Sequence, residues 1–198
     1  MCFYDYFTKQ DMPKNVELKA RVADVDDVVR RARALCDMTA NDGTLLVQCD
    51  TFFNAAHGRL KLREFMDKNK PSELIFYDRV DALGPKLSDF VKVNLDNDRQ
   101  TAELKHALSA AIGVRGELRK ERLLFLPSPN VRIHVDKVAG LGDFMEIEVC
   151  LDESMTAESG EALAKELLNK LGINERDLIS GAYIDKIKDP KNPIPLVT

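Results

Sequence analysis

Between Asn15 and Val22 the chain reads N-V-E-L-K-A-R-V, with Val16, Leu18, Ala20 and Val22 on one parity and Asn15, Glu17, Lys19 and Arg21 on the other. An extended backbone sends alternate side chains to opposite faces, so this run predicts a strand with one apolar and one polar face. Asp24 then stands as an N-cap before Val25, Val28, Val29, Ala32, Leu35 and Cys36, whose helical spacing predicts a helix over about 25–38. Strand patterns follow at 44–54 and 59–65, joined through Ala55-Ala56-His57-Gly58 as a hairpin, and again near 72–79 and 86–95. A second helix begins at Asp98, carries Leu104, Leu108, Ala111 and Ile112 on one face, and stops at Gly113. Strands near 114–126, 130–138 and 143–151 come next, the last two turning through Gly140 and Gly142, and a third helix runs from Thr156 to Leu171.

About eight strands, mostly hairpin-linked and interrupted by about three helices, make an antiparallel α+β domain. Residues 1–13 hold Phe3, Tyr4, Tyr6 and Phe7 without a sustained period and read as an N-terminal arm. Residues 189–198 are punctuated by Pro190, Pro193 and Pro195, which suit neither a regular helix nor a central strand. The domain is therefore expected over 14–188.

The polar faces of the strands carry charge almost alone. Arg59, Lys61 and Arg63 share one face, Lys120 and Arg122 another, Arg132, His134 and Asp136 a third, and Glu146 and Glu148 a fourth. An open sheet with helices on one side and water on the other would produce such alternation with no site at all. If eight strands curl to closure instead, these faces become a lumen of cations and a few carboxylates. Such a lumen needs a polyanion and a divalent metal. Glu17, Asp136, Glu146 and Glu148 offer hard oxygen donors for that metal, and Arg and Lys would hold phosphate oxygens as bidentate forks and point charges. His134 on this face fits either proton transfer or a structural hydrogen bond.

The full chain has 198 residues, 29 Lys+Arg against 33 Asp+Glu, and a net charge of −4. This length suits one domain, and the acidic balance lacks the field of a non-specific nucleic-acid binder. No apolar run approaches the roughly 18 residues needed to span a bilayer, and the start lacks a secretory pattern. The expected setting is cytoplasmic, with neither membrane nor nucleic acid as partner. Cys2, Cys36, Cys49 and Cys150 form no CxxC pair, which argues against a zinc site or a redox motif. No GxxxxGK[ST], HExxH or GxSxG motif occurs, and Gly140-Leu141-Gly142-Asp143 lacks the third glycine of a dinucleotide fingerprint.

N-V-E-L-K-A-R-V at 15–22, Q-C-D-T-F-F at 48–53, G-R-L-K-L-R-E at 58–64, L-I-F-Y-D-R at 74–79, K-x-R at 120–122, R-I-H-V-D at 132–136, G-L-G-D-F-M-E-I-E-V at 140–149 and I-S-G-A-Y-I-D at 179–185 together resemble the CYTH superfamily of triphosphate tunnel metalloenzymes. The likeness covers about 14–188 and is nearest the class IV adenylate cyclase (CyaB-like) branch, which shares the superfamily with thiamine triphosphatase and inorganic triphosphatases. It implies an eight-stranded antiparallel β-barrel, a tunnel open at its ends, that binds a triphosphate with Mg2+ or Mn2+. By position, Glu17, Glu146 and Glu148 would be metal ligands, with Asp136 a further one. Lys19, Arg59, Lys61, Arg63, Lys120, Arg122 and Arg132 would hold phosphates, joined by Arg21 and Arg79, and Glu17, Lys19, Glu146 and Glu148 would carry the catalysis.

One departure matters: the E-x-E-x-K signature of that superfamily reads Asn15-Val16-Glu17-Leu18-Lys19 here, so an amide replaces the first carboxylate. The implied activity is metal-dependent hydrolysis of tripolyphosphate, a nucleoside triphosphate or thiamine triphosphate. The alternatives are cyclisation of ATP to cAMP and pyrophosphate, or polyphosphate or nucleotide binding without catalysis. Relatives in the cyclase branch suggest a homodimer.

Overall fold

The structure, a computed structural model, describes residues 12–36, 42–68 and 70–187. Most of the expected arm, the expected tail and the end of the first predicted helix lie outside them. Eight strands, β1 (Lys14–Arg21), β2 (Thr44–Phe53), β3 (Arg59–Phe65), β4 (Glu73–Arg79), β5 (Lys86–Asn94), β6 (Val114–Ser128), β7 (Val131–Val138) and β8 (Gly142–Leu151), close into a barrel. Their order around the barrel is β1-β5-β4-β3-β2-β6-β7-β8, and every neighbouring pair is antiparallel. Three helices pack outside it, α1 (Val25–Ala34), α2 (Asp98–Ile112) and α3 (Ala157–Lys170). Among the described residues no helix is long and apolar enough to cross a membrane.

α1 ends four residues before the expected boundary. Leu35 and Cys36 still satisfy the apolar spacing, but the Cys36 N–H donates to the Arg33 carbonyl three residues back, tightening the last turn. Its start is as the side chains dictate, with Asp24 accepting from the Asp27 N–H. At the β2–β3 hairpin Gly58 adopts φ 62°, and a Cβ there would lie 2.7 Å from the Tyr77 carbonyl oxygen, so only glycine fits.

The apolar parities of β1, β7 and β8 all point outward. Val16, Leu18, Ile133, Val135, Met145, Ile147 and Val149 form the main core with Val28 and Ala32 of α1 and Ala164, Leu167 and Leu168 of α3. Fully burying a side chain of this size contributes about 1.5–3 kcal/mol, so this layer fixes which face of each strand is outside. Gly160 lets α3 seat closely, since a Cβ there would meet Leu151 Cδ2 at 2.7 Å and Val16 Cγ2 at 3.0 Å. The opposite parity, which carries the charges, is thereby forced into the lumen.

One end of the expected tunnel is crossed by a segment of the chain. Residues 178–187 cross the end where β1, β2, β4 and β7 finish. The Ile179 N–H donates to the Lys19 carbonyl on β1, the Lys86 ammonium of β5 to the Ile179 carbonyl, and Arg79 of β4 to the Gly181 carbonyl. Tyr183 donates to Asp136 on β7, and Asp185 accepts from Arg59 on β3 and Arg115 on β6. The cause is apolar: Ile179, Ala182, Tyr183 and Ile184 bury themselves against Phe52, Leu118, Val138 and Phe144 at that end of the lumen.

Candidate functional site

Strand register decides which charges meet in the lumen. In an antiparallel pair, directly opposed residues project from the same face. Arg122 of β6 stands opposite Asp136 of β7, His134 opposite Glu146 of β8, and Arg132 opposite Glu148. Across the β1–β8 pair Lys19 faces Glu146 and Glu17 faces Glu148, while β1 on its other side sets Glu17 opposite Lys86. Asp50 of β2 faces Arg63 of β3.

Three carboxylates organise these cations. Asp50, 1% exposed, accepts from Arg63 Nε and Nη2 at 2.8 Å each and from Lys61 Nζ at 3.1 Å. Asp136 is fully buried and accepts from Arg122 Nε and Nη2 at 2.6 Å each, with Lys120 Nζ at 3.3 Å and the Tyr183 hydroxyl at 3.2 Å on Oδ2. Glu146 pairs Oε1 with Lys19 Nζ at 2.8 Å and Oε2 with Arg122 Nη2 at 2.8 Å. Bidentate, buried guanidinium–carboxylate pairs are the strong kind, so these side chains are held in place before any ligand arrives.

Protonation follows from this packing. Burial alone would raise each carboxyl, but Arg63 and Lys61 hold Asp50 well below the usual range, and Arg122 and Lys120 do the same for Asp136. Glu146 is pushed up by burial yet held well below its ordinary value by Lys19, His134 and Arg122. Glu17 goes the other way: burial and the Glu146 charge raise it, against the pull of Arg79. Burial and the Arg122 charge lower Lys120 to about 7, and burial with Arg79 and Lys19 lowers Lys86 to about 8. His134 is lowered by burial and by Arg122.

Among the described residues, His134, Glu146 and Glu148 offer ligand atoms that all lie within 4.8 Å of one another. Glu17 stands beside them on β1, its Oε2 3.1 Å from Arg79 Nε. Asn15, two residues earlier on the same face, is 5% exposed, and its Oδ1 is buried without a hydrogen-bond partner. A buried carbonyl oxygen with no donor is costly, and a cation would relieve it. Oxygen donors of this kind with one imidazole fit a divalent cation.

Of the residues singled out from sequence, the structure brings Glu17, Lys19, Lys61, Arg63, Lys120, Arg122, Asp136, Glu146 and Glu148 to one lumen. Asp136, expected as a further metal ligand, has both oxygens engaged by cations and stands behind Arg122. Arg132 lies toward the open end, its side chain 41% exposed and 3.4 Å from Glu148. Arg79 is buried between Glu17 and Asp81. Arg59 is not with the other cations: it pairs with Asp81 and Asp185 in a recess of about 530 Å3 on the outer side of the closure. Arg21 is exposed, its guanidinium 5.0 Å over the Phe144 ring.

Sequence reasoning missed Asp50, Lys86 and Tyr183. Asp50 is the single charge of β2 and Lys86 stands at the start of β5 without a charged neighbour at the next alternate position, and only register reveals their partners. Tyr183 reaches Asp136 from 47 residues away, a contact no local pattern signals. A lone charge on an otherwise uncharged strand was the available sign for Asp50.

A family model described as the CYTH domain matches residues 13–183. Among solved structures, the PH1012 protein of Pyrococcus horikoshii is 21% identical, with a TM-score of 0.70 over 90% of this chain and 99% of that one. A protein of Vibrio parahaemolyticus described as a candidate adenylate cyclase is 19% identical, with a TM-score of 0.66 over 86% and 95% of the two chains. HpAC1 of Hippeastrum, described as an adenylyl cyclase candidate with a dominant triphosphatase activity, is 16% identical, with a TM-score of 0.57 over 88% and 94%. No curated protein matches this sequence. At these identities the likeness to the solved structures is one of fold.

Proposed function

Because this chain belongs to the CYTH domain family, we propose that it is a phosphohydrolase of triphosphate-containing substrates that works with Mg2+ or Mn2+. The observation that carries this reading is the lumen, where Glu17, Glu146 and Glu148 face Lys19, Lys61, Arg63, Lys120 and Arg122 across a closed ring of strands. Glu17, Glu146 and Glu148 would hold the cation, which when bound supplies charge neutralisation on phosphate oxygens and a more acidic water.

The chain's own residues do the rest. Arg63 and Arg122 offer planar forks to phosphate oxygens, and Lys19, Lys61 and Lys120 add point charges around the same chain of phosphates. Asp50 and Asp136 fix those forks in advance, so that the charge developing on the transferred phosphoryl group meets donors that need little rearrangement. Residues 178–187 close the far end. The triphosphate therefore enters from the mouth beside Asn15, Arg132 and Cys150, phosphates first, and any organic moiety stays toward that mouth.

Incubation with tripolyphosphate, ATP and thiamine triphosphate, each with Mg2+, Mn2+ or EDTA and with all products resolved, tests the proposal. The expected result is metal-dependent phosphate release that is lost in Glu146→Gln. Production of cAMP and pyrophosphate from ATP would replace hydrolysis by cyclisation. A second reading, binding without turnover, is favoured by Asn15 in place of a carboxylate. It predicts metal-dependent binding of tripolyphosphate with phosphate release no faster than in a Glu17→Gln control.

A further inference from the structure

We propose that His134 is itself a ligand in this cation site, giving it a nitrogen donor that favours Mn2+ and other first-row transition dications over Mg2+, an inference that rests on the metal-dependent reading above. β7 and β8 set His134 directly opposite Glu146 and one alternate position from Glu148, all on the lumen face. His134 Nδ1 lies 3.4 Å from Glu146 Oε2 and 3.7 Å from Glu148 Oε1. Both separations exceed the roughly 2.9 Å of a settled N–H···O bond. Two donors held by one ion at about 2.1 Å each, at right angles or somewhat wider, stand about 3.0–3.5 Å apart, close to what His134 and Glu146 show. The imidazole is thus spaced as a co-ligand of the carboxylates and makes only a loose hydrogen bond to them.

The second observation comes from β1. Asn15 Oδ1 is buried and lacks a hydrogen-bond partner, on the face that carries Glu17 opposite Glu148. An amide at this position lowers the negative charge around the cation by one relative to a carboxylate. Mg2+ gains most from charged oxygens and retained waters, whereas transition dications also gain from imidazole nitrogen. Loss of charge on β1 together with a nitrogen on β7 shifts the balance toward the latter.

Pulsed electron spin echo spectroscopy of Mn2+ bound to the full chain tests this without relying on turnover. In unlabelled protein the echo is expected to show 14N modulation from a directly bound imidazole. Protein carrying 15N only in histidine should replace that pattern with the 15N one. The other two histidines are His57 in the β2–β3 turn and His106 on α2, both outside the lumen. By titration calorimetry His134→Gln should weaken Mn2+ binding about 10- to 100-fold while leaving Mg2+ within about twofold, comparable to or larger than the loss of an outer-shell partner. Bound Mn2+ with no histidine modulation, in labelled or unlabelled wild type, overturns the inference and leaves the metal-dependent reading intact. Failure of the wild type to bind either cation, with and without tripolyphosphate, overturns both.

Discussion

Replacing Asp50 by Asn separates what the lumen's internal ion pairs do for stability from what they do for binding. The carboxylate is 1% exposed and takes three hydrogen bonds from Arg63 and Lys61. Removing one partner of a buried ion pair costs about 3–5 kcal/mol, and the lower end applies here because Asn keeps one acceptor oxygen for Arg63. At about 2–4 °C per kcal/mol for a chain of this size, a loss of about 3 kcal/mol lowers the melting temperature by about 6–12 °C. The sign with pH follows from the depressed carboxyl. Asp50 contributes its full stabilisation above its unfolded value of about 3.9 and loses it as pH falls toward the lower folded value. The gap between wild type and variant should therefore be flat from about pH 5 to 8 and narrow below about pH 4. With Arg63 and Lys61 no longer held in place, tripolyphosphate should raise the melting temperature of the variant by less than it raises that of the wild type. A variant that melts with the wild type, or that gains more from tripolyphosphate, would refute the reasoning that Asp50 positions phosphate-binding cations.

Lys120 near 7 and Lys86 near 8 are largely neutral in the free protein at about pH 8.5, and a bound polyanion favours their charged forms. Calorimetry in buffers of different ionisation heat should show uptake of about one to two protons with tripolyphosphate at that pH, and affinity should fall as pH rises further. For the free protein, stability contributed by these two lysines rises between about pH 7 and 10, because there the unfolded chain binds the protons that the folded chain has shed. Asn15→Glu adds a fourth buried carboxylate beside Glu17. Without metal it should lower stability by about 1–3 kcal/mol in denaturant titration, and it should tighten Mg2+ binding by about tenfold or more in calorimetry. Gly160→Ala places a methyl against Leu151 and Val16, and despite the better helix propensity of Ala it should cost about 1–2 kcal/mol in the same titration.

Much of the fold was legible because one parity of each strand had a single place to go. Val16, Leu18, Ile133, Ile147 and Val149 are apolar at period two, and the helices that cover them, α1 and α3, have Asp24 and Thr156 as side-chain caps. The charged stripes on β3, β6, β7 and β8 were equally plain, but periodicity cannot distinguish a lumen from a wet outer face. That needs closure of the β1–β5 and β2–β6 pairs, whose partners are far apart in sequence. The closure of one end was hidden for a similar reason: I-S-G-A-Y-I-D at 179–185 has neither helical nor strand periodicity, and its apolar residues find partners only in the assembled barrel. Arg59 and Arg63 lie four residues apart on one stripe, yet they serve different places because the closure falls between them. Asn15 was visible as a departure from the signature; its unpartnered oxygen was not.

The claim at the centre of this account is that a triphosphate and a divalent cation share the lumen. The most direct test is a crystal structure of the full chain with Mn2+ and imidotriphosphate, a slowly hydrolysed tripolyphosphate analogue, using the anomalous signal of manganese to place the ion. The account predicts manganese against Glu146 and Glu148, with the phosphates running between Lys19, Arg122, Arg63 and Lys61 on the lumen side of Tyr183. Density for the analogue in the outer recess beside Arg59 and Arg115, with the Asp50 and Asp136 ion pairs undisturbed and no manganese in the lumen, would contradict it.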